Sequence, residues 1–140
     1  MLKKCKIKIT EKQYDDEQPR AIEITTTGTF RGTPGDYVLR FDEIFSEDIK
    51  SQTVITVRGG TNVSIVRHGD ITTEITVEKG QRHNCHYLTP YGEMLLGISA
   101  QTVDDGVTEN GGILRLVYSV DFYANLETVK EMEIEVDFPE

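Results

Sequence analysis

Tryptophan is absent from this chain, and cysteine, proline and histidine are scarce, with two, four and three copies in 140 residues. Two cysteines make no disulfide framework, so the fold must rest on a buried core. A chain of 140 residues can supply one as a single domain spanning 1–140. Long apolar runs are missing too. No stretch approaches the roughly 18–20 apolar residues of a membrane-spanning helix. The opening MLKKCKIKIT carries charge without the apolar segment of a secretory signal. We therefore expect no membrane partner and a cytoplasmic protein, with Cys5 and Cys85 as free thiols. Basic residues are the last deficit, with 15 Lys and Arg against 24 Asp and Glu and a net charge of −9. Phosphate neutralisation needs clustered cations, so no nucleic-acid partner is expected. The local cluster Lys3, Lys4, Lys6 and Lys8 reads more simply as the outer side of an exposed strand.

Helical periodicity is also missing; nowhere does a period of about 3.6 residues fit better than a period of two. Short alternating runs, cut by turn residues, continue from end to end. Lys3 to Tyr14 sets Cys5, Ile7 and Ile9 on one face, and Arg20 to Arg31 does the same with Ile22, Ile24, Thr26 and Phe30. Gly28 marks a bulge or a close approach of backbone. Thr33-Pro34-Gly35-Asp36 turns into a run with Tyr37, Leu39 and Phe41 in phase. Ile44 to Lys50 reads as a polar loop, with room for one helical turn through Phe45 and Ile49. Thr53 to Arg58, Val63 to Arg67 and Ile71 to Lys79 are strands, separated by Gly59-Gly60 and His68-Gly69-Asp70.

His83 to Leu88 and Glu93 to Val103 flank Thr89-Pro90-Tyr91-Gly92, which suggests a hairpin with a G1 bulge. That register would oppose Leu88 to Met94 and Cys85 to Gly97, and it leaves open which face lies inside. Asp104 to Gly112 reads as a long acidic loop. Ile113 to Tyr123 and Val129 to Phe138 close the chain around a turn at Asn125. Such spacing predicts an all-β protein, an antiparallel meander β-barrel of about 8–10 strands.

The runs FDE, TVITV, VSIVRHGD, EKGQRHNCHYLTPYGEMLLGI and GGILRLVY, between Phe41 and Tyr118, resemble the YwiB-like family of small bacterial proteins. The fitting positions are Glu43, Arg67, Gly69, Gly80, His83, Tyr87, Thr89, Pro90, Gly92, Met94, Gly111, Gly112 and Tyr118, while Phe41 stands where a tyrosine is expected. The resemblance implies a lipocalin-like, or calycin-like, barrel. It implies no activity, cofactor or partner.

Chemistry-bearing residues are few. In His83-Asn84-Cys85-His86, His83 and Cys85 share a strand face and His86 points the other way, too few ligands for zinc. No phosphate loop, nucleophile elbow or dinucleotide fingerprint occurs, so no catalytic residue, metal or cofactor is assigned. The polar set Glu43, Arg67, His83 and Tyr87 is the candidate ligand contact, with Tyr118 added among the aromatics Tyr37, Phe41 and Phe122 that would line a barrel or fill its core. An Arg67–Glu43 pair fits two situations: a polar anchor at a barrel mouth, or a surface ion pair of little energetic weight. Three functions remain open. One is a barrel binding a small apolar or amphipathic ligand. Another is an interaction module or homodimer using an acidic face or a sheet edge. The third is an enzyme pairing His83 with Glu43 or Tyr87.

Overall fold

A period of two puts alternate side chains on opposite faces, and a sheet with one apolar face must cover it. This chain does so by closing the sheet on itself. A computed structural model of the protein describes residues 2–14, 20–44, 47–70, 72–89, 92–122 and 126–139. The strands are β1 (Leu2–Tyr14), β2 (Arg20–Thr33), β3 (Asp36–Ile44), β4 (Lys50–Arg58), β5 (Asn62–Gly69), β6 (Thr72–Glu78), β7 (Arg82–Thr89), β8 (Gly92–Asp105), β9 (Gly112–Phe122) and β10 (Leu126–Asp137). Each pairs antiparallel with its sequence neighbours, and β1 pairs with β10, giving a closed ten-stranded meander barrel.

Register aligns the inward residues into rows. Tyr37, Val57, Val63 and Val77 form one row across β3–β6, and Leu39, Ile55, Ile65 and Ile75 form the next. These rows are buried apolar core. The third row changes character. It runs Phe41, Thr53, Arg67, Thr73, Tyr87, Met94 across β3–β8.

The hairpin of β7 and β8 differs from expectation by one residue. Thr89 pairs with Gly92, Tyr87 with Met94 and Cys85 with Leu96. Only residues 90–91 separate the strands, so the extra residue of a G1 bulge is not there. This register puts His83, Cys85 and Tyr87 inside with Met94, Leu96 and Ile98, and leaves Asn84, His86 and Glu93 outside. Cys85 faces Leu96 and Tyr87 faces Met94 on one side of the ladder, while Leu88 and Leu95 are left exposed on the other. Gly97 consequently opposes Asn84 rather than Cys85 and faces outward. The Arg82 guanidinium crosses over it to Asp121, at 2.7 Å, in space that a Cβ would occupy.

β8 runs on to Asp105, so the expected Asp104–Gly112 loop shrinks to residues 106–111. The register shift in the wall falls between Ala100 and Thr102 of β8. Gly28 is a close approach and not a bulge, since β2 keeps its register with β1 through it while its ladder with β3 ends at Gly28 and Phe41. Gly69, at φ +146°, takes a conformation that side-chain-bearing residues rarely adopt. Phe45, Ile71, Pro90, Tyr91, Tyr123, Asn125 and the side chain of Phe122 lie outside the described residues, and with them the helical turn expected through Phe45 and the turn expected at Asn125.

A Cβ on residue 28 would sit 2.9 Å from both Ile7 Cδ1 and Phe41 Cβ and press on the Arg40 carbonyl oxygen. Gly28→Ala is expected to cost about 2–3 kcal/mol through overpacking against backbone. Chemical denaturation checks this; a variant with unchanged midpoint and slope would show that β1 and β3 can move apart freely.

Candidate functional site

The two ends of the barrel differ in chemistry. At one end Phe30 stacks on Tyr37 with ring centroids 5.1 Å apart and meets Phe138 edge-on at 5.2 Å, beneath Lys3 Nζ. The Tyr37 hydroxyl donates to Asp105 Oδ1 at 2.9 Å, and Val107 is buried against this plug. The other end is polar because the third row is polar and one more inward position, Glu43 with Ser51, extends beyond it.

Glu43 is 1% exposed. Its Oε1 accepts hydrogen bonds from Thr53 Oγ1 at 2.6 Å and from Arg67 Nε at 3.1 Å. The Arg67 side chain is itself 13% exposed. The pair is thus an interior one, not a surface pair. From the opposite wall come Glu11 of β1, Tyr118 of β9 and Lys130 of β10, with Lys130 Nζ 4.0 Å from Glu11 Oε1. Burial alone would pull the Arg67 pKa down, but Glu43 and Glu11 outweigh it and hold the guanidinium charged. Thr73 lies between Arg67 and Tyr87 in the row. It is 3% exposed, and its Oγ1 has no hydrogen-bond partner among the described residues.

Of the residues singled out in the sequence, Glu43, Arg67, Tyr87 and Tyr118 come to this end. His83 does not. It lies four residues along β7 from Tyr87, about 13 Å at strand rise, and its Nε2 contacts Glu78 Oε1 at 2.9 Å. An acid–base pairing of His83 with Glu43 or Tyr87 therefore lacks the required convergence. Tyr37, expected in the lining, belongs to the plug at the far end, and Phe41 is buried core.

The sequence reading missed Glu11, Thr53, Thr73 and Lys130. A signal existed for Glu11 and Lys130, which continue the inward phase of Ile7-Ile9 and of Met132-Ile134. Thr53 and Thr73 gave none, because threonine is as much a strand former as the valines and isoleucines around it.

The cysteines are structural. Burial raises both thiol pKa values, offset in part by backbone hydrogen bonds from Gly28 to Cys5 and from Thr76 to Cys85. Cys85 Sγ accepts the Thr76 N–H at 3.3 Å where the β6–β7 ladder, paired from Thr72 to Glu74, has ended. Among the described residues, no group of three or more His, Cys, Asp or Glu is placed to hold a metal ion. No helix among them is long and apolar enough to cross a membrane.

Removing one partner of the buried pair, as in Glu43→Ala, is expected to cost about 3–5 kcal/mol by stranding the Arg67 charge. The double variant Glu43→Leu/Arg67→Met should recover most of that loss in thermal denaturation; equal damage in single and double variants would show that the pair is not coupled. A second outcome concerns pH. Burial pushes the Tyr37 and Tyr118 hydroxyls well above the ordinary tyrosine range, with Asp105 and Glu11 adding to it. A raised folded pKa contributes stability below the unfolded value of about 10 and loses it as pH climbs beyond. Alkaline ultraviolet titration should show two of the six tyrosines ionising only with unfolding. Six tyrosines titrating together in the folded protein would contradict the burial.

The comparisons with known proteins match this architecture. No curated protein matches the chain. A crystal structure of the ywiB protein from Bacillus subtilis superposes with a TM-score of 0.85 at 19% identity, covering 99% of this chain and 94% of that one. That likeness carries the barrel fold. The family described as "Domain of unknown function (DUF1934)" matches residues 7–136, and the chain belongs to that family, whose YwiB-like barrel it shares.

Proposed function

We propose that this protein binds a small molecule at the polar end of its barrel. The Thr73 hydroxyl is the observation that carries the reading. A buried hydroxyl without a partner costs about 1–3 kcal/mol, and most such groups in native proteins are satisfied. Here it sits in one row with Arg67 and Tyr87, beside a charged pair that is itself expensive to bury. A core selected for stability alone would place valine at 73, as it places isoleucine at 65 and 75.

The ligand is shallow. The row of Leu39, Ile55, Ile65 and Ile75 closes the floor beneath Thr53 and Arg67 with buried apolar side chains. A long apolar chain threaded into the barrel does not fit that core, which favours the amphipathic form of the expected ligand. The competing reading, an interaction module or homodimer using an acidic face or a sheet edge, gets no free edge from β1 and β10, which pair with each other.

The test has two parts. Native mass spectrometry of protein purified from its own host should show a mass excess released on denaturation, and Thr73→Val should reduce it. Thr73→Val should also leave stability unchanged or raise it by about 1 kcal/mol, because it removes an unpaired hydroxyl. A bare native mass would argue against a retained ligand. A strongly destabilised Thr73→Val would mean the hydroxyl has a structural partner and that the reading fails.

A further inference from the structure

Resting on that reading, we infer that the ligand is a small uncharged molecule presenting a hydrogen-bond donor and an acceptor side by side, as an amide or imide edge does. Charge balance at the polar end comes first. Among the described residues the inward ionisable side chains there are Glu11 and Glu43 against Arg67 and Lys130, two of each sign. Arg67 is hydrogen-bonded to Glu43 and lies in the field of Glu11, while Lys130 faces Glu11. An anion would have to compete with two carboxylates already matched to the cations. A cation would meet Arg67 and Lys130. Either would bring a charge without a counter-charge of its own beside the buried Glu43 and Arg67, which is costly. An uncharged group escapes that cost.

Hydrogen-bonding capacity comes next. Arg67 can only donate, the carboxylates of Glu11 and Glu43 can only accept, and the Thr73 hydroxyl does both. A ligand with an acceptor for Arg67 or Thr73 and an adjacent donor for a carboxylate matches both halves of the guanidinium–carboxylate arrangement at once. A ligand with acceptors alone leaves the acidic half unanswered. Tyr87 is the cross-strand neighbour of Thr73, and Tyr118 lies in the field of Arg67, so two aromatic side chains of the kind that suit a planar group belong to this end. The filled rows below keep the ligand small.

Three probes of similar size separate the classes: uracil as a planar imide, butyrate as an anion and butylammonium as a cation. Each is titrated into the isotope-labelled full chain, following the backbone amide resonances of Arg67 and Thr73 and the Arg67 Nε–Hε signal. Uracil should shift these three signals saturably and more tightly than either charged probe, and Thr73→Val should weaken the uracil response about tenfold without unfolding the protein. Tighter binding of butyrate or butylammonium at the same resonances overturns the ligand class while leaving the site in place. Silence with all three probes overturns the inference as well, and the mass-excess measurement then decides separately whether the site holds a ligand at all.

Discussion

Everything in this molecule depends on the pairing of its first strand with its last. A ten-stranded sheet left open would expose the backbone edges of β1 and β10 and one whole apolar face. Closure satisfies both at once, and it creates the interior in which a polar end can exist. The seam shows how the register is specified. Inward, Ile7 meets Val136 and Ile9 meets Ile134; outward, Lys6 meets Asp137, Lys8 meets Glu135 and Lys12 meets Glu131. A slip of one residue would turn isoleucines to solvent and carboxylates to the core. The exposed charge pairs add little energy each, so their contribution is to select the partner and register more than to hold the barrel shut. Lys6 and Lys8 of the N-terminal cluster find their place here, as the cationic side of this seam, while Lys3 lies over Phe138.

Once the barrel is closed, the distribution of side chains along each strand divides it lengthwise. β4 shows this most plainly: Val57 and Ile55 fill the core, Thr53 begins the polar row and Ser51 ends it. β5 repeats the sequence with Val63, Ile65 and then Arg67, and β6 does so with Val77, Ile75 and then Thr73. Because the strands are in register, three local transitions become one boundary across the wall. Stability is concentrated on the apolar side of that boundary, while the polar side carries a buried ion pair and a hydroxyl without a partner among the described residues, arrangements that lower stability relative to an apolar filling.

The legibility of the sequence was uneven for physical reasons. Alternation identified nearly every strand, because burial of one face imposes the period of two locally. Arg67 and Glu43 stood out because charged residues in an inward phase are uncommon. His83 stood out equally, yet lies elsewhere, since position along the strand decides which end a side chain reaches. The β7–β8 register differs by one residue because Pro-Tyr-Gly suits more than one turn geometry, and both faces of this hairpin hold apolar residues, so the local pattern does not choose between them. Thr73 was invisible, because only the absence of a partner distinguishes it from any other strand threonine.

The sequence by itself determined the strand count to within one or two, the all-β class and the inward face of most strands. These follow from contacts and patterns within a few residues. The tertiary structure alone decided that the Glu43–Arg67 pair, 24 positions apart, lies inside the barrel and not on its surface, and that Glu11 and Lys130 face it from the other wall. Such meetings depend on register and on closure between the two ends of the chain, and no local pattern encodes a distance measured across the inside of a barrel.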